Sequence, residues 1–422
     1  RMYNKETICV QGNYKPGNGE PRVLPLYQST TFKYSSIDQL AELFDLKVDG
    51  HIYSRISNPT IQAFEEKISL LEGGVSSVAV SSGQSANMLA VLNICKSGDS
   101  ILCSSKVYGG TFNLLGPSLK KFGIDLISFD LDSSEDEIVE LAKENTKVVF
   151  AETLANPTLE VIDFEKIANV AKRINVPFIV DNSLASPVLC NPLKYGANIV
   201  THSTTKYLDG HASSVGGIIV DGGNFNWDNG KFPELVEPDP TYHGISYTQK
   251  FGNAAYATKA RVQLLRDYGN CLSPFNAYLT NLNVETLHLR MERHSENALK
   301  IARFLEKHEN VDWINYPGLE DNKYYENAKK YLSRGCSGVL SFGVRGGLEN
   351  AKKFVEKLQI ASLVTHVSDV RTCVIHPAST THRQLTEEQL IASGVLPSLI
   401  RLSVGIENVE DLIADLNQAL NF

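Results

Sequence analysis

The chain has few cysteines, and they are scattered. Its 422 residues contain seven, an odd number, and no two of them form a C-x-x-C pair. A disulfide framework or a structural zinc site needs clustered or regularly spaced thiols. We therefore expect reduced thiols in a cytoplasmic protein, with no metal site.

The sequence also lacks long apolar runs and an excess of positive charge. Apolar stretches such as Phe178–Val180 are strand-sized, far short of the roughly 20 residues of a membrane helix. The polar N-terminus gives no indication of export. Lys and Arg number 40 against 48 Asp and Glu, so the formal charge is −8. That balance provides no basic field for nucleic acid or an anionic membrane. These features predict an intracellular protein of enzyme size.

Several familiar catalytic motifs are missing. The chain has no G-x-G-x-x-G, no G-x-x-x-x-G-K-[ST], no G-x-S-x-G and no H-E-x-x-H. These absences disfavour a Rossmann dehydrogenase, a P-loop enzyme, a serine hydrolase and a zinc protease.

The start of the chain is predicted to form an arm. Residues 1–57 look irregular, with one short helix after Ser36, which forms a capping-box pattern with Gln39. The next helix is predicted to begin at Asn58, a good N-cap residue, and to end at Gly73.

From there, short apolar runs alternate with helix-length segments. Such alternation predicts an α/β fold with a mostly parallel sheet covered by helices on both faces. Ligands of such sheets bind outside the carboxyl ends of the strands. The predicted strands are Ser77–Val80, Ser100–Cys103, Asp125–Phe129, Val148–Ala151, Phe178–Val180, Ile199–Thr201 and Gly217–Val220.

Residues 221–252 interrupt this alternation. They are rich in Gly and Pro but also in large aromatic residues, so we expect an ordered insertion. The large domain is predicted to cover 58–272 and a smaller α/β domain 273–422. The first long helix of that smaller domain has an apolar stripe that includes His294, which we expect to be a packing residue.

Three features that follow predicted strands point to one chemistry. The run Val80–Ala86 is rich in small residues and begins a helix, which suits a phosphate, although such turns are common. Asp181 ends a buried strand, where it could also be a helix cap. Lys206 follows three hydroxyl residues, although most lysines are simply solvated. A phosphate cup, an Asp and a Lys at strand ends are together what pyridoxal phosphate requires.

The chain resembles the Cys/Met-metabolism family of pyridoxal-phosphate enzymes, of fold type I, over essentially its whole length. The matching segments are Tyr53–Thr60, Ser81–Gln84, Val107–Thr111, Asn156–Thr158, Val180–Ser183, His202–Tyr207, His376–His382 and Ile400–Gly405.

The resemblance implies roles for single residues. Lys206 would bind pyridoxal 5'-phosphate covalently and later move protons. Asp181 would pair with the ring nitrogen, and Tyr108 would stack on the ring and assist proton transfer. Arg401 would bind the substrate carboxylate, helped by Asn156. A buried ion pair and a turn amide are the structural alternatives for these last two residues.

The family also implies a shared site. The phosphate would be held by backbone N–H groups and hydroxyls of Gly83, Gln84, Ser203 and Thr205. Tyr53 and Arg55 would reach it from the neighbouring subunit, so the site requires at least a dimer. We expect a homotetramer built from such dimers.

Two features indicate a branch of the family. The insertion is similar to that of O-acetylhomoserine sulfhydrylases, and Gly110 stands where methionine γ-lyases usually carry cysteine. His366, near a carboxylate-binding position of some relatives, and Ser183, in place of the more frequent Thr, depart from the family pattern. We expect γ-replacement on O-acetyl-L-homoserine by sulfide or a thiol, giving L-homocysteine and acetate in methionine and cysteine biosynthesis.

Other activities remain open at this point. A methionine γ-lyase or a cystathionine γ-synthase or γ-lyase would share the first half of the reaction. A non-catalytic binding protein on the same fold is a third alternative, which the complete set of site residues disfavours.

Overall fold

The structure, a computed structural model, describes residues 2–422. Strands of the first sheet are β1 (Ser76–Val80), β2 (Ser100–Ser104), β3 (Asp125–Phe129), β4 (Thr146–Glu152), β5 (Phe178–Asp181), β6 (Ile199–Ser203) and β7 (Gly217–Asp221). Strands of the second sheet are β8 (Val311–Asn315), β9 (Val339–Val344), β10 (Ser362–Leu363), β11 (Cys373–Ile375) and β12 (Leu399–Ser403).

The α-helices surround these sheets. They are α1 (Lys5–Gln11), α2 (Ile37–Phe44), α3 (Pro59–Glu72), α4 (Gly83–Leu92), α5 (Gly109–Asn113), α6 (Glu135–Leu141), α7 (Phe164–Arg173), α8 (Ser186–Leu189), α9 (Pro233–Val236), α10 (Tyr247–Phe251), α11 (Ala255–Lys259), α12 (Arg266–Tyr268), α13 (Pro274–Val284), α14 (Leu287–Glu306), α15 (Tyr325–Tyr331), α16 (Gly347–Lys357), α17 (Glu387–Ala392) and α18 (Val409–Leu420). No helix within residues 2–422 is both long and apolar enough to cross a membrane.

The first sheet has the strand order β1-β7-β6-β5-β4-β2-β3. Strands β2 to β6 run parallel, whereas β7 is antiparallel to both β6 and β1. The mostly parallel sheet is therefore confirmed. The reversed strand was not predicted; it follows from the connection 204–216, which contains no crossover helix and returns the chain beside β6.

Both faces of this sheet are buried. On β4, Val149 and Ala151 belong to one apolar cluster, and Val148 and Phe150 belong to the cluster on the opposite face. Burial on both faces explains why the strands read as continuous apolar runs rather than as alternating ones.

The capping residues predicted from the sequence mark where helices begin and end. The side chain of Asn58 accepts from Thr60 N at 2.9 Å, and Gly73 ends α3 in the left-handed conformation. At Ser36 only half of the predicted capping box forms, the bond from Gln39 N at 3.2 Å.

Helix α1 was not predicted, and the expectation of a single helix in residues 1–57 is wrong. Helix α1 has seven residues, which are too few to form a stable helix alone. It is stabilised by burial of Ile8 and Cys9 against the body of the protein.

The second sheet has the order β10-β11-β12-β9-β8 and its own apolar core. Helix α14 joins the two cores, since Met291 packs in the first and Ile301 in the second. Between them, His294 is fully buried and its Nδ1 bonds to the Val404 carbonyl at 2.7 Å. It is a packing residue, as expected. Helix α13 packs against α3, and the domain boundary at 273 stays a prediction.

The insertion is ordered, as predicted. Trp227, Phe232 and Tyr247 are buried in the apolar cluster that contains Val148 and Phe150. Tyr242 and Phe251 are partly buried against the same cluster. Burial of these rings anchors the segment despite its Gly and Pro content.

Candidate active site

A cavity of about 250 Å³ lies at the carboxyl ends of β4, β5 and β6. Nine residues singled out from the sequence line it together: Gly83, Gln84, Tyr108, Asn156, Asp181, Ser203, Thr205, Lys206 and Arg401. These residues are distant in the sequence. Most of them lie together because the carboxyl ends of parallel strands meet at one edge of the sheet.

One wall of the cavity is the N-terminus of α4. Ser82 caps this helix by accepting from Ser85 N at 3.0 Å. A Cβ on Gly83 would lie 2.6 Å from Ser203 Cβ, so only glycine allows the helix to start against β6. The free N–H groups and the hydroxyl of Ser203 then face the same space, which suits a phosphate.

Hydrogen bonds hold Asp181 in one orientation. One carboxylate oxygen accepts from Ser183 Oγ at 2.5 Å and from Ser183 N at 3.0 Å. The other accepts from Asn87 Nδ2 at 3.1 Å, and Asn87 itself accepts from Thr201 Oγ1 at 2.6 Å. Ser183 Oγ also accepts from Ser203 N at 2.8 Å. Serine therefore performs this linking role in place of the more frequent threonine.

Lys206 follows β6 and is largely buried. Burial lowers the pKa of its ammonium to about 8, with a further contribution from the positive charge of Arg401. Asp181 opposes this shift. A lysine with a lowered pKa provides the neutral amine that a carbonyl compound needs for covalent attachment.

The position of Tyr108 depends on a backbone hydrogen bond and on Gly110, two residues further along the chain. Its N–H donates to Glu152 Oε1 at 2.6 Å. A Cβ on Gly110 would lie 2.5 Å from Cε1 of the tyrosine ring. Gln84 Nε2 donates to the Gly110 carbonyl at 3.0 Å, which ties this loop to α4. The ring position therefore depends on the absence of a side chain at residue 110.

Arg401 on β12 reaches the opposite wall. Its Nη1 donates to Asn156 Oδ1 at 3.2 Å. Burial lowers the pKa of Arg401 to about 10, so the guanidinium stays charged at neutral pH. Within residues 2–422 no carboxylate lies within ion-pair distance of it, unlike Arg261, which pairs with Glu65 at 2.7 Å. The buried-ion-pair alternative for Arg401 is not what the structure shows.

Further residues in the site were not assigned from the sequence. Glu152 ends β4 in the cavity wall, and burial together with the Asp181 carboxylate raises the pKa of Glu152 well above its ordinary value. The strand-end rule that identified Asp181 would have identified Glu152 as well. Asn87 lies one turn into α4 and carries no such sequence pattern.

Two loops beside the second sheet also line the cavity, one around His366 before β11 and one around Thr381 after it. His366 Nε2 is buried and has no hydrogen-bond partner among residues 2–422. Burial and the charge of Lys206 lower the pKa of His366. His376, at the start of the matching segment His376–His382, instead bonds through its ring nitrogens to Ser379 and Pro397 and has a structural role.

Tyr53 and Arg55 do not line the cavity of their own chain. The Arg55 guanidinium lies 5.2 Å from the centre of the Tyr53 ring, and its Nη1 donates to the Arg266 carbonyl at 2.6 Å. Tyr53 is 39 % exposed. Their role in a neighbouring subunit stays a prediction.

The residues present fit pyridoxal phosphate. Gly83, Gln84, Ser203 and Thr205 line the cavity beside the N-terminus of α4, where backbone N–H groups and hydroxyls can bind a phosphate. Asp181 and Lys206 line the same cavity, where a ring nitrogen and an aldehyde can reach them.

Comparison with known proteins agrees with this geometry. The profile of the Cys/Met metabolism PLP-dependent enzyme family matches residues 6–421. An O-acetyl-L-homoserine sulfhydrylase of Leptospira meyeri is 48% identical, over 100% of this chain and 97% of that protein. A homocysteine synthase of Schizosaccharomyces pombe is 45% identical, over 98% of this chain and 97% of that protein.

The three-dimensional comparison extends over the whole chain. A crystal structure from Campylobacter jejuni, assigned as an O-acetylhomoserine (thiol)-lyase and containing N'-pyridoxyl-lysine-5'-monophosphate, has a TM-score of 0.95. It is 38% identical, and each chain covers 100% of the other. The chain therefore belongs to the Cys/Met metabolism PLP-dependent enzyme family.

Proposed function

We propose that the protein catalyses γ-replacement on O-acetyl-L-homoserine, with sulfide or a thiol as acceptor, giving L-homocysteine and acetate. One observation carries the proposal: the cofactor anchors other than Tyr53 and Arg55 face one cavity together with the buried Arg401, which has no carboxylate partner within residues 2–422. Relatives that match nearly the whole chain are named O-acetyl-L-homoserine sulfhydrylase and homocysteine synthase, which supports this choice of substrate.

Arg401 and Asn156 bind the amino acid. The planar guanidinium can donate two parallel hydrogen bonds to the α-carboxylate, which sets position and direction together. The bond from Arg401 to Asn156 Oδ1 holds the guanidinium in place before substrate arrives. Binding of an anion at an already positioned cation avoids part of the ordering cost.

Lys206 moves the protons. Bound pyridoxal phosphate supplies the electron sink that makes Cα and Cβ of the substrate acidic. Lys206 Nζ, released when the substrate amine takes its place, accepts the proton from Cα and next assists removal of a proton from Cβ. A pKa of about 8 places this amine near the pH at which it can both accept and return a proton.

Tyr108 would stack on the cofactor ring, and Gly110 sets where the tyrosine ring lies. A cysteine at residue 110, as in methionine γ-lyases, would force the ring away from its present position. The present geometry supports replacement over the lyase reaction. In replacement the acceptor thiol must add to the substrate Cγ before that carbon is protonated, since the protonated product is released and hydrolyses to 2-oxobutanoate and ammonia.

We further propose that the active form is a homotetramer of dimers with shared sites. Arg55 and Tyr53 lie outside their own chain's cavity, and the arm that carries them is rich in exposed apolar side chains. These are Val23, Leu26, Tyr27, Ile37, Phe44 and Val48. Such a surface is typical of one that is covered in an assembly. We place the enzyme in the cytoplasm, in methionine and cysteine biosynthesis.

A steady-state assay tests the proposed reaction. The purified protein is supplied with O-acetyl-L-homoserine and sulfide, or with L-methionine alone, and both homocysteine and 2-oxobutanoate are measured. We expect homocysteine from the first mixture as the dominant product. Faster release of 2-oxobutanoate from methionine would instead identify a γ-lyase.

A further inference from the structure

The insertion 221–252 has no part in the proposed reaction, yet it contains a rigid turn. Asp239 accepts from Thr241 N at 2.8 Å, from Thr241 Oγ1 at 2.6 Å and from Tyr247 Oη at 2.7 Å. Asp239 and Ile245 also form an isolated bridge. The residues between them, including Tyr242, are therefore presented in a fixed direction.

That direction is toward the N-terminal arm. Tyr242 Oη donates to the Phe44 carbonyl at 2.9 Å, and Lys250 Nζ donates to the Asp45 carbonyl at 2.8 Å. Both carbonyls lie at the C-terminal end of α2, where backbone acceptors lack helical partners. A cation at this end of a helix is also favoured by the helix dipole.

The same tyrosine is connected to Arg55. The Arg266 guanidinium lies 5.6 Å from the centre of the Tyr242 ring, and the Arg266 carbonyl accepts from Arg55 Nη1 at 2.6 Å. Next to it, Arg261 Nη1 donates to the Ile56 carbonyl at 2.8 Å. Tyr242 and Lys250 therefore hold the start of the segment 44–56, and Arg261 and Arg266 hold its end.

We propose that the insertion is a clamp that fixes the N-terminal arm, with Tyr242 and Lys250 as positioning residues for the segment 44–56. Its consequence for catalysis rests on the proposed function, in which Arg55 completes the phosphate site of the neighbouring subunit. The clamp holds the arm in the conformation in which Arg55 contacts the phosphate in the neighbouring subunit. The enzyme therefore binds its cofactor more tightly than it would without the clamp.

The residues that anchor the insertion in the core are different from those that contact the arm. Trp227, Phe232 and Tyr247 bury their rings in the core, whereas Tyr242 is partly exposed and Lys250 is exposed. Loss of the Tyr242 hydroxyl and the Lys250 ammonium therefore removes the contacts with the arm and leaves the core packing intact.

The variants Tyr242→Phe and Lys250→Met, alone and together, test the clamp in the holoenzyme. Matched controls are Tyr268→Phe and Lys353→Met, since both side chains are exposed and lie outside the insertion and the arm. Hydrogen–deuterium exchange of 37–56 and the dissociation constant of pyridoxal phosphate are measured. Loss of one hydrogen bond changes an equilibrium by roughly 2- to 10-fold, so we expect changes of that size in both quantities.

The outcomes separate the clamp from the proposed function. Faster exchange of 37–56 with weaker cofactor binding, and an unchanged kcat at saturating cofactor, supports the clamp and its consequence. Faster exchange with unchanged cofactor binding supports the clamp and contradicts the role of Arg55, which Arg55→Ala tests independently. Unchanged exchange in the double variant, relative to the controls, overturns the clamp.

Discussion

At the scale of single residues, the site depends on where side chains are absent as much as on where they are present. Gly109 and Gly110 are adjacent, yet they differ in their surroundings. A Cβ on Gly109 would meet nothing within 4 Å, whereas one on Gly110 would lie 2.5 Å from Tyr108 Cε1. These two glycines therefore form a natural variant and control.

We expect Gly110→Ala to displace the Tyr108 ring and to lower kcat/KM by about 10-fold or more, because small misplacements at a reacting centre are costly. Gly109→Ala, with the same loss of backbone freedom, should change kcat/KM little. Steady-state kinetics with O-acetyl-L-homoserine measure both. Equal effects of the two substitutions would contradict the contact with Tyr108.

The pKa of Lys206 predicts how the apoenzyme takes up its cofactor. Covalent attachment requires the neutral amine, so its rate should rise with pH and level off above a pKa of about 8. Arg401→Met removes a positive charge that lowers this pKa, and the midpoint should move to higher pH. Stopped-flow absorbance of cofactor binding measures the midpoint. A shift to lower pH in Arg401→Met would contradict this electrostatic coupling.

At the scale of elements, caps and strand ends place the site. Helix α3 begins at the buried Asn58, whose Oδ1 accepts from Thr60 N and whose Nδ2 donates to the Tyr27 carbonyl at 2.9 Å. This one side chain therefore starts a helix of the large domain and holds the preceding arm.

Asn58→Ala should lower the free energy of unfolding by about 1–3 kcal/mol, because it removes a buried cap and leaves the part-buried Tyr27 carbonyl without its partner. Ser36→Ala removes an exposed cap of α2 and should cost about 1 kcal/mol or less. Urea denaturation of the holoenzyme at one protein concentration compares them. A larger effect at Ser36 would contradict the importance of burial.

At the scale of the whole molecule, the proposed shared site predicts complementation between inactive variants. Arg55→Ala subunits retain Lys206, and Lys206→Ala subunits retain Arg55. Random mixing should restore about a quarter of the sites, since each hybrid dimer contains one site with both residues. Activity after unfolding and refolding of an equimolar mixture measures this recovery. No recovery, in mixtures shown to contain hybrids, would contradict a shared site.

Much of the fold followed from local patterns. The seven strands of the large sheet lie within one or two residues of their predicted bounds, because strands that are buried on both faces form continuous apolar runs in the sequence. Helix α1 and the direction of β7 were not predictable in this way. The first is stabilised only by distant packing, and the second depends on the path of the connection 204–216.

The sequence by itself determined the chemistry of this protein: a small-residue turn, an Asp and a Lys each lie at or shortly after the end of a strand, and parallel strands bring their ends together. Only the tertiary structure decided how these groups are oriented. Asn87 acts on Asp181, and Glu152 acts on Tyr108, through contacts between elements, and such contacts leave no periodic pattern along the chain. The same holds for the contacts of Tyr242 and Lys250 with the arm, which join segments about 200 residues apart.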